Sequence, residues 1–260
     1  MSTDALASTT TAPGRQVAFE VAGLGDEAVG YLDAWELQRR VHAEVVAGER
    51  PDTVLLLEHP PTFTAGKRTE PHERPVDAGG APVVDVDRGG KITFHGPGQL
   101  VAYPIVRLPD HVLVVDFVRR MEEAMLRACA DLGVVAGRVD GRSGAWLSAS
   151  ERGPERKVGA IGIRVSHGVT MHGIAVNCDV DLAWFDRFVP CGIADAGVTS
   201  LSSELDRDVS VHDLLPVLRE RLAEMLAWQP YEPTPDAGPP APCAPGGVPR
   251  VEVLRPGSSA

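Results

Sequence analysis

The chain has 260 residues, 43% of them hydrophobic and 23% charged, with a formal net charge of -11. That size and composition suit one large soluble domain or two small ones, and no apolar run is long enough to cross a bilayer as a helix. The acidic balance excludes a general nucleic-acid binder, because phosphate contacts need a basic face.

The first fifteen residues, Met1 to Arg15, are small and polar without periodicity and are expected to be disordered. They show neither a basic n-region nor an apolar h-region, which sets the expectation of a cytoplasmic protein. An amphipathic helix follows over Ala28 to Val46, with Tyr31, Trp35, Leu37, Val41 and Val45 along one side, and then a buried strand, Thr53 to Leu57. Next come two apolar runs, Val83 to Val86 and Leu100 to Val106, around RGGKITFHGPGQ (Arg88 to Gln99), which reads as a hairpin shaped to hold a ligand. A second helix is predicted near Val114 to Leu132, opened by Asp116 and closed by Gly133. Strand-like runs return at Val134 to Val139, Gly144 to Ser148, Val158 to Val165 and Val169 to Val176, and a final helix covers Val211 to Trp228. Strands in meanders with helices packed to one side indicate an α+β domain with a mixed sheet, over residues 16–229. From Pro230 onward lie nine of the 22 prolines, so residues 230–260 are expected to form a disordered tail.

No metal or cofactor site is expected. Arg68 stands where a P-loop needs Ser or Thr, and Pro61 where its first glycine belongs. His167 and His172 are five apart, which in a regular strand points them to opposite faces. The four cysteines form no CxxC pair, which suits a reducing compartment. Cys129 in a helix and Cys178 in a strand read as small buried hydrophobes, and Cys243 sits in the tail. Cys191 differs: it lies between Pro190 and Gly192, in a turn that either leaves its sulfur accessible, as a nucleophile requires, or buries it as a small hydrophobe. A thiol of ordinary pKa near 8.5 needs a neighbour that favours the thiolate. Lysine is scarce here, only Lys67, Lys91 and Lys157, and Lys157 heads a glycine-bearing hairpin; His95, His167 and His172 are rival bases.

Four segments then carry a resemblance: LLLEHPPTFTAGKRT (Leu55 to Thr69), RGGKITFHGPGQLVAYPI (Arg88 to Ile105), KVGAIGIRV and HGIAVN (within Lys157 to Asn177), and FVPCGIADAGVTSL (Phe188 to Leu201). In order and spacing they resemble the lipoyl(octanoyl) transferases, from about Thr53 to Leu201. The resemblance implies a catalytic domain of the biotin/lipoate protein ligase type, class II synthetase-like. It also implies transfer of an octanoyl group from octanoyl-acyl carrier protein to a lysine of a lipoyl domain, as in 2-oxo acid dehydrogenase complexes or the glycine cleavage H protein. Carried over by position, it makes Cys191 the acyl-thioester nucleophile and Lys157 its partner. It makes Arg88, Gly89, Gly90, Lys91, Ile92, Thr93, Phe94 and His95, then Ala160, Ile161 and Gly162, then Gly173, Ile174 and Ala175, the acyl-binding segments. The competing readings are an ATP-dependent lipoate or biotin ligase on the same fold, a thiol hydrolase, and a non-catalytic binding module. Arg142, Arg152, Arg156 and Arg164 are the candidates for a local basic surface toward an acidic carrier protein.

Overall fold

The computed structural model describes residues 17–188 and 196–236. Its first half runs β1 (Ala18–Gly23), α1 (Tyr31–Ala47), β2 (Thr53–Leu57), β3 (Thr62–Ala65), β4 (Val83–Asp85), β5 (Thr93–His95), β6 (Gln99–Ile105) and α2 (Val114–Asp131). The second half runs β7 (Gly137–Val139), β8 (Arg142–Leu147), β9 (Arg156–Ser166), β10 (Val169–Asn177), β11 (Gly197–Val198), α3 (Leu201–Leu205) and α4 (Val211–Leu226). The main sheet has the order β1-β2-β6-β10-β9-β8-β7, with β11 added parallel to β9. All its other neighbours are antiparallel except β1 and β2, so the sheet is mixed.

Every residue of β2, β6 and β10 is buried, which a sheet can sustain only when both faces are covered. One face meets α2 and α4 through Phe117, Met121, Met125, Leu218 and Leu222. Each such side chain contributes about 1.5–3 kcal/mol by leaving water. The other face meets α1 through Ala34, Val41 and Val45, packed on Leu55, Leu57, Tyr103 and Ile105. The expectation of helices on one side is therefore corrected: α1 lies opposite the other two long helices, because the central strands are apolar on both faces.

The stretch from Arg88 to Gln99 is not a simple hairpin. β4 pairs in parallel with β3, and β5 pairs antiparallel with β3 in a small separate sheet, while β6 belongs to the main sheet. That small sheet has an aromatic core of its own, Phe63, Phe94, Trp184, Phe185 and Phe188. The final segment also differs at its start. Residues 230–236 lie against α2, where Thr234 donates its N–H and hydroxyl to the buried Glu123 carboxylate and Arg138 donates to Thr234 O at 3.0 Å. No helix among the described residues is long and apolar enough to cross a membrane.

Candidate active site

A cavity of about 360 Å³ opens on the α1 face of the main sheet, between α1 and the small sheet. Its floor is β6, β9 and β10, at Val101, Ala160, Gly162, Gly173 and Ala175. The segment Arg88 to Gly90 covers β9, with Gly89 N–H donating to Ile163 O at 3.1 Å.

Lys157 reaches this cavity through an irregularity in β9. Val158 packs in the α2 core, and a Cβ on Gly159 would meet Met125 of α2, so two successive residues face the same way. The register of β8 against β9 slips at this point, and the slip turns Lys157 to the cavity. The side chain is 9% exposed, and its Nζ lies 4.5 Å from the centre of the Trp146 ring. Its backbone is paired with Trp146 on one side and Val198 on the other, and its carbonyl accepts the Thr199 N–H at 2.9 Å.

At the other end stand Tyr31, His95, Tyr103 and His172. His59 Nδ1 donates to Val29 O at 2.7 Å, so its Nε2 accepts the Tyr103 hydroxyl, also at 2.7 Å. Tyr31 is hydrogen-bonded to Tyr103 in turn, and its ring stacks on His95 at 5.8 Å. Burial lowers His59 to about 4, against a weaker upward pull from the Val29 carbonyl. Burial first, then the charges of His59 and Arg88, hold His95 well below 6.5. Burial raises Tyr31 to about 12, with the Arg88 charge opposing, and pushes Tyr103 well above 10. The cluster is therefore polar and uncharged at neutral pH.

His172 departs from its strand. Its φ is 57°, in the left-handed region that costs a non-glycine residue about 1–3 kcal/mol. Alternation along β10 puts Ile174 and Val176 in the α2 core, yet the His172 ring lies beside Trp35 of α1, 6.0 Å between centres. Its N–H donates to Gln38 of α1 at 2.8 Å, which explains why this polar side chain, rather than Leu37, continues the buried stripe of α1. Nε2 donates to Asp87 at 2.7 Å, and Asp87 also holds Arg164. Burial and then the charges of Arg88, Arg164 and Arg39 lower the imidazole to about 3, so it is neutral and its Nδ1 is an acceptor.

A buried chain of hydrogen bonds links the two ends. Gln99 Nε2 donates to Asn177 Oδ1 at 2.8 Å, which makes Gln99 Oε1 the acceptor for His95 Nδ1 at 2.7 Å. Asn177 Nδ2 donates to Thr199 O at 2.9 Å, and the Thr199 hydroxyl donates to Glu204 at 2.6 Å. Glu204 in turn holds Arg156 in a two-pronged pair.

All the expected acyl-segment residues lie on the cavity wall except Gly89 and Phe94. Phe94 is fully buried in the aromatic core, stacked on Trp184, and Gly89 fastens the loop to β9 by its backbone. Arg88 also shapes this loop, donating to Thr64 O, Thr64 Oγ1, Gly89 O and Lys91 O. Lys91 is paired with Glu73. Cys191 and Cys243 lie outside the described residues. Cys129 and Cys178 are buried, and burial drives both thiols up, Cys129 to about 12. Each of the four arginines expected to form a basic surface is paired with a carboxylate: Arg142 with Glu155, Arg152 with Asp206, Arg156 with Glu204 and Arg164 with Asp87. Tyr31, Arg68, Val101, Tyr103 and the β7–β8 turn at Gly141 to Ser143 line the cavity without having been singled out from sequence as site residues. Tyr31 carried a signal, a hydroxyl on an apolar helix face; the turn carried none.

The sequence pattern of the lipoyl protein ligase A/B catalytic domain matches residues 30–223. The octanoyltransferase of Salinispora tropica is 63% identical over 198 residues, covering 76% of this chain and 92% of that protein. The octanoyltransferase of Thermobifida fusca is 59% identical over 210 residues, covering 80% and 89% respectively. Among solved structures, the bipartite lipoate protein ligase of Thermoplasma acidophilum superimposes with a TM-score of 0.56 at 15% identity, over 82% of this chain and 83% of that one, a likeness of fold. With a matching domain pattern and such close relatives, the chain belongs to the lipoyl protein ligase A/B catalytic-domain family and is an acyltransferase of its octanoyltransferase branch.

Proposed function

We propose that the protein moves an octanoyl group from the thioester of an acyl carrier protein to the lysine amine of a lipoyl domain, through an acyl-thioester on Cys191. The observation that carries this reading is the placement of Lys157. A buried lysine stands at one end of a cavity whose floor there is apolar, and the segment holding Cys191 is fastened at both described ends: Phe188 in the small sheet's core, and Gly197 and Val198 beside Arg156 and Lys157. A cavity with Val101, Ala160 and Ala175 on its floor suits a medium-length acyl chain, with about 0.8 kcal/mol gained per buried methylene.

Ionised Cys191 attacks the thioester carbonyl, a C–S bond forms, and the carrier's phosphopantetheine thiol leaves with a proton. Exchange of one thioester for another is nearly isoenergetic, so the step needs no ATP. The lipoyl-domain lysine then attacks as the neutral amine, an amide forms, and the Cys191 thiolate is released. Lys157 serves both halves: as ammonium it steadies the thiolate and protonates the departing thiol, and as amine it accepts the proton of the attacking lysine. Arginine could do only the first. The lipoyl domains and the carrier are cytoplasmic partners in this reading. Incubation with octanoyl-acyl carrier protein and a lipoyl domain, without nucleotide, should yield a lipoyl domain heavier by one octanoyl group. A product formed only with ATP and free octanoate supports a ligase instead, and free octanoate released without a lipoyl domain supports a hydrolase.

A further inference from the structure

Two residues of β8 stand beside the Lys157 side chain. One is Trp146, whose ring centre lies 4.5 Å from Nζ. The other is Gly144: a Cβ built there would lie 3.4 Å from Lys157 Cε and 2.4 Å from Gly159 O, so a side chain at this position would collide with β9. The Gly144 φ of 119° lies where glycine is favoured, and the backbone passes Lys157 on a path other residues do not follow easily. The register slip that turns Lys157 to the cavity falls between the next two residues, Ala145 and Trp146.

Gly144 is held from the opposite face of the sheet. Its N–H donates to Glu122 Oε1 of α2 at 2.9 Å. Glu122 is fully buried, on the helix that packs Phe117, Met121 and Met125 into the core. A carboxylate taken out of water needs charged partners, and here Oε2 accepts from Arg119 Nη1 at 2.8 Å with Arg138 Nε 3.4 Å away. The adjacent Glu123 is engaged elsewhere, with Arg127, Arg138 and Thr234, and none of these bonds reaches β8. An apolar side chain of similar volume would fill the Glu122 position about as stably, but it would leave the Gly144 amide without an acceptor.

We propose that Glu122 is a positioning residue for the Lys157 amine. Through the Gly144 N–H it fixes β8 against the Lys157 stem, so that the amine meets the nucleophile and the attacking lysine within hydrogen-bond reach. It touches neither the acyl group nor the reacting atoms. The inference rests on the acyl-transfer reading above, in which Lys157 carries the protons, and adds to it a residue on the far side of the sheet. Placement matters at this scale, because a displacement of about 1 Å at a reacting group can cost about 10²-fold in rate.

Two conservative substitutions separate reach from charge. Glu122→Asp keeps the carboxylate but draws it back from the Gly144 N–H by one bond, about 1.5 Å. Glu122→Gln keeps an acceptor oxygen at full reach and removes the charge. In single-turnover passage of octanoyl from the protein to a lipoyl domain, Glu122→Asp is expected to lower the saturating rate by about tenfold or more, with the half-saturating concentration unchanged within about twofold. Glu122→Gln is expected to stay within about threefold of the parent, since it retains the bond to Gly144. In a Lys157→Ala background, which has no amine to place, Glu122→Asp should cost nothing further. Parent-like passage in Glu122→Asp, a loss in Glu122→Gln as large as in Glu122→Asp, or the same loss in the Lys157→Ala background overturns the proposal. Thermal melts check that each variant is folded, and Glu122→Met, which also lacks the acceptor for Gly144, replaces Glu122→Asp should that variant not fold. Octanoyl transfer by the unaltered protein is read in the same assay, so its absence marks a failure of the functional reading rather than of the role of Glu122.

Discussion

Lys157 Nζ stands 4.5 Å from the centre of the Trp146 ring, on the neighbouring strand, and the two residues are direct partners in the β8–β9 ladder. The indole is held in turn, 2% exposed and with Nε1 donating to Ser143 O at 3.3 Å. A cation over a partly desolvated aromatic face gains about 0.5–2 kcal/mol, which here fixes where the Lys157 amine lies. Trp146→Leu should therefore lower kcat by about 3- to 30-fold, the kinetic equivalent of that interaction. Trp146→Phe, which retains a ring face, should lose clearly less. Equal losses in the two variants, measured on folded protein, would show that the ring matters only for packing.

Two glycines of the cavity floor should respond differently to the same substitution. A Cβ at Gly173 would lie 2.0 Å from Ala102 O and 2.7 Å from the Pro104 ring, so Gly173→Ala must push β10 off β6. A Cβ at Gly162 would meet the Arg88 Cδ at 2.8 Å, a side-chain rather than a backbone atom, and Gly89 O at 3.2 Å. Gly173→Ala is expected to lose several kcal/mol or fail to fold, in the manner of an overpacked core. Gly162→Ala should fold with at most about 1–3 kcal/mol lost, yet transfer octanoyl more slowly because Arg88 is displaced into the cavity. Thermal melts beside octanoyl-transfer rates check both.

Much of this arrangement was legible in the sequence, and the exceptions have specific causes. Periodicity gave Thr53–Leu57 as a strand without error and placed α2 and α4 within a residue or two. α1 begins three residues later than expected, because Ala28, at φ -52° and ψ 134°, is not helical and Val29 is bonded to Glu58 and His59. The small sheet was missed because β3 has only four residues and follows two prolines, while β4 and β6 flank the glycine-rich stretch and read as a hairpin. The facing of Lys157 and His172 could not be read at all. Each leaves the alternation of its strand, one by a register slip and one by a left-handed backbone, and period-two reasoning assumes neither. That same assumption underlay the expectation that His167 and His172 point to opposite faces; both have positive φ, 52° and 57°.

Stability should depend on pH through the buried imidazoles. His59 is held at about 4 and His172 at about 3, against 6.5 when exposed. Well above pH 6.5 neither the folded nor the unfolded chain binds a proton at these rings, so they leave stability level. As pH falls from 6.5 toward 4 the unfolded chain takes up protons that the folded chain refuses, and stability drops by up to about 1.4 kcal/mol per pH unit per ring. The carboxylates with lowered values, Glu73, Glu123 and Glu204, add to the loss as pH falls through about 4.5, where unfolded Glu is half protonated, so their share at pH 5.0 is the smaller one. Urea midpoints at pH 7.5 and 5.0 should therefore differ, and His59→Gln should show a smaller difference than the parent. A midpoint that does not move over this range would mean the rings are not held neutral.

The two halves of the transfer should come apart in Lys157→Arg. The guanidinium keeps a positive charge near the nucleophile but stays protonated, so it cannot take the proton of the attacking amine. Acylation by octanoyl-acyl carrier protein is expected to survive in part, while passage to the lipoyl domain falls by about 10²–10⁴-fold, the usual contribution of a general base. Single-turnover kinetics of the two half-reactions would show this, and turnover like the parent's in both halves would remove Lys157 from the role of base.

The most direct measurement is intact-mass spectrometry of the protein after incubation with octanoyl-acyl carrier protein alone, with no lipoyl domain present. A covalent adduct of one octanoyl group is predicted, absent in Cys191→Ala and discharged on addition of a lipoyl domain. A parent protein that octanoylates the lipoyl domain but shows no adduct, or an adduct that persists in Cys191→Ala, would contradict transfer through Cys191.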